Sequence, residues 1–497
     1  MTRIGRIDTD QLGDNPCSPC HPRAISLGEM ISRQKGTLTR RLIQVVISVA
    51  LRLFFRRIET SGASLVPAEG PVIFVLNHPN GLIDPGLVFC ALPRRVSFLA
   101  KSTLFRIPVL GGVLRAVEAL PLYRRLDPGE DPAQNLKTFA ACHDLLRQGR
   151  CIALFPEGLS QRTTRLGPIK TGAARIALGA LSVGRGGPRL SVLKVVPVGL
   201  YYASKTPFRG EALLRFGAAL EVAPVALDAR GEPPREEVRR LTERIEKALL
   251  GVTLNLEDEG ELEVVRKAER LFSSIDHAIN LRPSLTGEFE FLRRFARARR
   301  LRDPGRIAAL EGRIRRFEET LRRLGVTPET LSVVAHTHSF VWRHLSLGSL
   351  LLALLTPVAL LGLVLHLPAY LASELLSRRF KRHGPDESGA TAKILIAILL
   401  MPLTWILFTA GVYAASGWRL AAAALPAAVV SGYVGLRWAE ELYAMRGWYQ
   451  AALLLLRRRG QFLRMLLERR ALRREIGALG DGPRAMRVGP GPTDQYP

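Results

Sequence analysis

Cysteine and lysine are both scarce in this sequence, at five and ten of 497 residues. So few cysteines exclude a disulfide-built scaffold and point to a reducing compartment. Acidic residues are outnumbered too. The 44 Asp and Glu against 71 Lys and Arg leave a net charge of +27, carried mostly by arginine. No apolar stretch precedes position 40, so no secretory signal is expected, and residues 1–36 read as a disordered tail in which Met30 could be the true start. CSPCH, Cys17 to His21, has the spacing of a c-type haem attachment site, but haem attachment requires export, which nothing here supports. His336 and His338 have no third ligand nearby, so no metal is expected. GRGG at 184–187 is a loop rather than a dinucleotide fingerprint, which would follow a strand and open a helix. Cys90, Cys142 and Cys151 lie in apolar contexts and read as small core residues.

What the chain does have is apolar content. Hydrophobic residues make up 47% and the mean hydropathy is +0.11, which excludes global disorder. The length exceeds that of one ordinary domain. Three apolar runs, 345–373, 394–415 and 420–436, define a membrane region at 344–440. Basic charge beside such runs suits an anionic membrane surface. A nucleic-acid binder would instead concentrate its basic residues on a soluble face without membrane segments, and none is expected as a partner. By positive charge, the loop with Arg378, Arg379, Lys381 and Arg382 and the segment Arg457–Arg459 both read as cytoplasmic, as does the basic region before 345. These assignments agree only if 345–373 re-enters, bent at Pro357, while the other two runs form a hairpin.

The stretch LIQVVISVALRLFF, 42–55, is too short for the ~20 residues that span a bilayer. Flanked by Arg40, Arg41, Arg56 and Arg57, it reads as an interfacial membrane helix within 37–60, its arginines snorkelling to the headgroups. A buried core helix is the alternative. Residues 226–343 form a charged helical extension whose charge runs read as solvated faces. Residues 441–497 read as a basic helix followed by a Pro/Gly-rich disordered tail.

Between these lies 61–225, where strands alternate with helices. PVIFVL (71–76), VSFLA (96–100), CIALF (151–155) and VLKVVPVGL (192–200) are short β-branched runs, with helical stretches near 85–92, 134–148 and 170–182. This predicts an α/β fold, a largely parallel sheet flanked by helices, with ligands at the carboxyl ends of the strands. The helical extension and C-terminal transmembrane helices follow it.

Candidate chemistry gathers at those ends. The first strand runs into NHPNGLIDP, with Asn77, His78 and Asp84. A carboxylate meeting His78 across the Pro79-Asn80-Gly81 turn would fix the imidazole tautomer and leave Nε2 to act as general base. Asp84-Pro85 reads equally well as a helix cap followed by proline at the first helical position. The third strand runs into Pro156-Glu157-Gly158, where glycine permits close backbone approach and Glu157 offers an acceptor. Taken alone, that tripeptide is an ordinary turn. Lys170 opens a helix, where anions are favoured, and Arg162 and Arg165 add positive charge nearby. Arg124 follows the short run LPLY; alone it would be a surface charge. Ser102 and Ser160 sit in no Gly-x-Ser-x-Gly elbow.

In this order and spacing, the blocks NHPNGLIDP, LPLYRR, FPEG and VVPVGL resemble those of the glycerolipid acyltransferase superfamily, which makes lysophosphatidic and phosphatidic acids. The resemblance covers 61–225. Five residues separate His78 and Asp84 where most of the superfamily has four, and Leu159-Ser160 stand where an arginine is common. Both departures are shared by the fungal-type glycerol-3-phosphate/dihydroxyacetone-phosphate acyltransferases. That branch is also similar at Lys101-Ser102 and along FPEGLS and LGPIKTG, and carries a helical extension and C-terminal membrane segments.

The resemblance implies a membrane-bound O-acyltransferase of phospholipid biosynthesis that needs no cofactor. Its donor would be acyl-CoA or acyl-carrier protein, and its acceptor glycerol-3-phosphate. The alternatives are 1-acyl-glycerol-3-phosphate (lysophosphatidic acid) as acceptor, or a catalytically inactive membrane scaffold. His78 and Asp84 would be catalytic. Arg124, Glu157, Gly158, Lys170, Asn77, Pro156 and Ser160 would bind substrate, and Pro197 would line the acyl pocket. The Arg-over-Lys bias fits a GC-rich bacterial genome, which would place the enzyme on the cytoplasmic face of the inner membrane, among its phospholipids.

Overall fold

The computed structural model describes residues 23–32, 37–81, 83–124, 127, 129–160, 165–182, 190, 192–203, 209–228, 231–256, 259–278, 284–328, 330–331, 338–381 and 387–480. The Cys17–His21 pair, Arg162, the 184–187 loop, His336, Arg382 and the tail from 481 lie outside them, as do the side chains of His338, Arg378, Arg379 and Lys381. Two compact units emerge. One comprises residues up to Asn77, Pro85–Gly158 and Pro168–Thr253; the other comprises Leu254 onward with the segments His78–Asp84 and Leu159–Gly167.

The first unit is built on a nine-stranded mixed sheet. Its strands are β1 (Arg23–Ala24), β2 (Phe55–Ser61), β3 (Val72–Leu76), β4 (Val96–Lys101), β5 (Leu120–Leu122), β6 (Cys151–Leu154), β7 (Leu193–Tyr202), β8 (Gly210–Phe216) and β9 (Leu220–Val222). The array β7-β3-β6-β4-β5 is parallel throughout, with Val72 opposite both Cys151 and Lys194. Every residue of β3 and β6 is buried, as expected of strands covered on both faces. The four predicted strands are β3, β4, β6 and β7. Beyond β7 the sheet turns mixed: β8 and β9 run antiparallel to β7, and β2 runs parallel to β8.

Helices α1 (Leu27–Ser32), α2 (Leu38–Phe54), α3 (Ile83–Ala91), α4 (Leu110–Ala116), α5 (Asn135–Arg147), α6 (Gly172–Leu181) and α7 (Arg235–Val252) accompany the sheet. The end of α7 packs on β7 where Gly199 lies, since a Cβ there would overlap the Val252 carbonyl. Burial pushes the Cys90 and Cys142 thiols up to about 12 and raises that of Cys151, so these are core residues without nucleophilic character.

Two expectations change at the amino end. Residues 23–32 are not a loose tail: β1 pairs with β2, Ile25 N–H donates to Ile58 O, and Met30 is fully buried. The apolar stretch is helical as α2, but its polar face points inward. Arg40, Gln44 and Ser48 are buried, whereas Leu38, Leu42, Val46, Val49 and Leu53 are exposed. Arg40 therefore does not snorkel outward. Its Nη1 donates to Val117 O and its Nη2 to Val96 O, with Glu118 at 3.6 Å and the Phe89 ring beneath its guanidinium. Burial, with Arg95 nearby, lowers its pKa to about 10 against the pull of Glu118, so it stays charged at neutral pH.

The second unit is helical. It contains α8 (Glu259–Ala278), α9 (Leu285–Leu301), α10 (Pro304–Leu324), α11 (His338–Lys381), α12 (Glu387–Ser416), α13 (Trp418–Arg457) and α14 (Arg459–Gly480). Helix α10 starts where Asp303 accepts from Arg306 N–H and Pro304 takes the first position, and stops at Gly325, φ +68°. The extension's charges are not all solvated: buried Glu261 and Glu311 pair with Arg299, tying α9 to α8 and α10.

Among the described residues, three helices are long and apolar enough to cross a membrane, over Leu345–Leu376, Leu399–Ser416 and Trp418–Arg457. Helix α11 continues through Pro357 and Pro368 without a break, so 345–373 is one long helix rather than a re-entrant bend. It runs antiparallel to α13, with Gly348 against Met445 and Gly362 against Ser431 O. Polar side chains join these helices, as Trp438 Nε1 donates to Leu352 O and Trp405 Nε1 to His366 Nε2.

Candidate active site

The chain leaves β3 at Leu76 and its exit is fixed by Asn77, whose amide is committed to β7. Oδ1 accepts from Leu200 N–H at 2.7 Å and Nδ2 donates to Leu200 O at 3.1 Å. Asn77, expected to bind substrate, thus serves to pin the strand end. In the following turn, Nδ1 of His78 lies 2.8 Å from Oδ2 of Asp84. The same oxygen accepts from Asn80 N–H at 2.7 Å. An ionised carboxylate only accepts, so the imidazole proton sits on Nδ1 and its lone pair on Nε2. Asp84 is fully buried and His78 about one-sixth exposed. Asp84 falls within the first turn of α3, with its carboxylate turned back toward the strand end.

Arg124 follows β5 in the sheet unit and is held from two sides. Its Nε and Nη2 grip the two oxygens of Asp127 at 2.9 and 3.1 Å, and its Nη1 donates to Gly158 O at 2.7 Å. Three of its five N–H groups are thereby used, leaving two for a ligand. Lys101, the last residue of β4, joins the cluster with Nζ 2.7 Å from Asp127. Burial pushes the Asp127 carboxyl up, but hydrogen bonds from Arg124 and Lys101 outweigh this and hold it below its ordinary value. Two cations sharing one carboxylate leave a net positive patch suited to a phosphate.

The segment after β6 completes this half. Gly158 takes a positive φ of +71°, and a Cβ there would meet Lys170 Nζ at 2.5 Å, so the lysine side chain lies directly over the glycine. Lys170 N–H donates to Pro156 O at 2.9 Å, closing the loop between the tripeptide and α6. Glu157 is buried at 6% exposure. Arg124, Pro156, Gly158 and Lys170 are thus brought together as expected. Pro197 is buried within β7, opposite Val75, and its carbonyl accepts from Gly217 N–H. Ser160 lies half-buried beyond Gly158, at the edge of the described loop. Ser102 Oγ is buried without a hydrogen-bond partner among the described residues.

Sequence reasoning missed Asp127, the anchor of the cluster. The signal that could have found it is an acid three residues after the arginine, in the turn before α5.

A family model described as Acyltransferase matches residues 57–201, and one described as Glycerol-3-phosphate acyltransferase 2 C-terminal domain matches residues 264–479. Glycerol-3-phosphate O-acyltransferase 2 of Saccharomyces cerevisiae is 36% identical over 141 residues, covering 28% of this chain and 18% of that protein. Glycerol-3-phosphate O-acyltransferase 1 of the same yeast is 27% identical over 330 residues, covering 48% and 43%. The chloroplastic 1-acyl-sn-glycerol-3-phosphate acyltransferase BAT2 of Brassica napus is 29% identical over 130 residues, covering 26% and 36%. In each case the match spans less than half of the relative's length. The chain thus combines, in this order, an Acyltransferase domain and a Glycerol-3-phosphate acyltransferase 2 C-terminal domain.

Proposed function

We propose that this protein is a membrane-bound O-acyltransferase of phospholipid biosynthesis, acylating a hydroxyl of glycerol-3-phosphate from an acyl thioester. The observation that carries this reading is the 2.8 Å contact between His78 Nδ1 and Asp84, in a domain whose relatives are named glycerol-3-phosphate O-acyltransferases. Nε2 of His78 takes the hydroxyl proton as the oxygen attacks the thioester carbonyl. The tetrahedral intermediate then expels the thiolate of coenzyme A or acyl-carrier protein, which receives the proton from His78. Asp84 holds the tautomer and stabilises the transient imidazolium. Such assistance supplies ~10²–10⁴-fold. Arg124, with its two remaining N–H groups, and Lys170 hold the acceptor phosphate. Glu157, Gly158 and Ser160 position the glycerol, and Pro197 borders the acyl chain. The chemistry calls for no metal.

The exposed stripe of α2 rests on lipid. Five apolar side chains on one face, with arginine, glutamine and serine turned inward, suit a helix lying at the headgroup–acyl boundary. We take the domain to act on the cytoplasmic face of a bacterial inner membrane, a reading supported by the arginine-over-lysine bias of a GC-rich genome. A second reading takes lysophosphatidic acid as acceptor, favoured by relatives named 1-acyl-sn-glycerol-3-phosphate acyltransferases.

The test is to incubate purified membranes with labelled acyl-CoA, offering glycerol-3-phosphate and lysophosphatidic acid separately. Labelled lysophosphatidic acid from the first supports the proposal. Phosphatidic acid from the second alone moves the protein one step downstream. Failure of both with acyl-CoA and acyl-carrier donors, in folded protein, contradicts acyl transfer and leaves the scaffold.

A further inference from the structure

We propose that Asn255, in the link between α7 and α8, is a positioning residue for the acceptor phosphate, setting Lys170 in place by gripping the chain that leads to it. This rests on the reading of Lys170 as a phosphate ligand. Its geometric basis is a hydrogen bond that spans 89 residues of sequence, in which Asn255 Oδ1 accepts from Leu166 N–H at 3.1 Å. Residues 165–169 belong to no helix or strand, so individual ties of this kind set their path. The segment is pinned near both ends. Leu166 N–H donates to Asn255, and Lys170 N–H donates to Pro156 O at 2.9 Å. The second tie holds the lysine backbone, and the first fixes the direction from which the chain arrives. The Lys170 side chain must lie over Gly158, whose carbonyl accepts from Arg124. A shift of 166–170 therefore moves one cation of the phosphate pair and leaves the other clamped to Asp127.

Asn255 is itself held firmly. Leu254 and Leu256 on either side of it are buried. Its own carbonyl accepts from Arg300 Nη2 on α9 at 3.4 Å, and the same nitrogen lies 3.3 Å from Glu261 Oε2 on α8. Glu261 is buried and also pairs with Arg299. Residues Leu159–Gly167 fall in the same compact unit as the chain from Leu254 onward. The first two helices of the extension thus reach the loop before Lys170 through one side chain. Such a chain of contacts gives the extension a part in holding the acceptor, separate from any part in holding the membrane.

The test compares the full-length wild type, Asn255→Leu and Asn255→Asp in one detergent. Leucine keeps the approximate volume without an acceptor, whereas aspartate keeps an oxygen for Leu166 N–H. For Asn255→Leu we expect KM for glycerol-3-phosphate to rise about three- to tenfold, the effect of one lost hydrogen bond, with kcat and KM for acyl-CoA within about twofold. Asn255→Asp should restore most of the acceptor KM. Lost stability alone would reduce the active fraction, and so the apparent kcat, without moving the acceptor KM. Hydrogen exchange over 165–171, read by mass spectrometry, needs no turnover. Exchange at Leu166 should quicken about three- to tenfold in Asn255→Leu and return in Asn255→Asp. If Asn255→Leu does not fold, Arg300→Gln, too short to bridge Asn255 O and Glu261, should show smaller changes in the same direction. A wild type that does not acylate glycerol-3-phosphate would overturn the functional reading, and exchange would still decide the tether. Unchanged exchange at Leu166 would overturn the tether itself. Faster exchange with an unchanged acceptor KM, or an equal rise in both KM values, would overturn its role in placing the phosphate.

Discussion

Nδ1 of His78 lies 2.8 Å from Oδ2 of Asp84 even though five residues separate them. The Pro79–Gly81 turn brings them together, and Asn80 N–H donates to the same carboxylate oxygen. One oxygen thus organises both the turn and the imidazole. Asp84→Asn should leave that geometry in place, since its amide oxygen can accept from both Asn80 N–H and His78 Nδ1–H, but it removes the charge that stabilises the imidazolium. We expect kcat to fall by about 10²–10⁴-fold, with little change in KM, the pattern of an interaction made mainly in the transition state. Steady-state kinetics on protein with an unchanged circular dichroism spectrum checks this.

Arg124→Lys should behave as a poor substitute. A lysine cannot grip both oxygens of Asp127 while donating to Gly158 O, so the phosphate donors lose their fixed direction. The expected effect is a rise of about 10–100-fold in KM for glycerol-3-phosphate, with a smaller change in kcat. Kinetics at varied acceptor concentration separates the two.

Gly158→Ala should be far more damaging than Gly172→Ala. At Gly158 the backbone has φ +71° and a Cβ would collide with Lys170, whereas at Gly172 a Cβ would meet nothing within 4 Å. The positive φ alone costs about 1–3 kcal/mol for a non-glycine residue. Displacement of Lys170 should lower activity by about tenfold or more. Thermal unfolding and acyl transfer, measured on both variants, test the contrast.

Asp127 predicts an acid sensitivity. Its folded carboxyl titrates below the ordinary value, so its stabilisation is complete above the unfolded range near about pH 4 and is lost as pH falls through the lowered folded value. Asp127→Asn should lower the unfolding temperature at neutral pH and flatten its decline between about pH 5 and 3. Thermal scans in detergent across that range would show it.

Helix α2 should sit in lipid through Val46, which is 49% exposed on the apolar stripe. A fluorophore on Val46→Cys should be quenched by brominated lipid and shielded from a water-soluble quencher in vesicles. Equal access from water in vesicles and in detergent would place the stripe against something other than lipid.

The strands that carry chemistry were legible because they are buried on both faces: VIFVL, CIAL and LKVVPVGL are nearly unbroken apolar runs. The strands at the sheet's periphery were not. FRRIETS in β2 and the three residues of β5 show no clear apolar run, and their strand state depends on pairing with distant partners. Helix α2 was found by its hydropathy, but hydropathy says nothing about which face packs. The burial of Arg40 depends on carbonyls 56 and 77 residues away. Among site residues, His78 and Asp84 were legible from local spacing. Asp127 was not, because an acid beside a turn is ordinary until Arg124 and Lys101 are seen to share it. The part Asn77 plays in pinning the strand end was not legible for a similar reason, since its partner Leu200 is 123 residues away.

The most direct test of the account is His78→Gln, assayed beside the wild type for acyl transfer to glycerol-3-phosphate in identical vesicles, with acceptor binding measured separately. The account predicts a loss of about 10²–10⁴-fold in rate, with acceptor affinity preserved. Near-normal turnover by the variant would contradict a general base at His78.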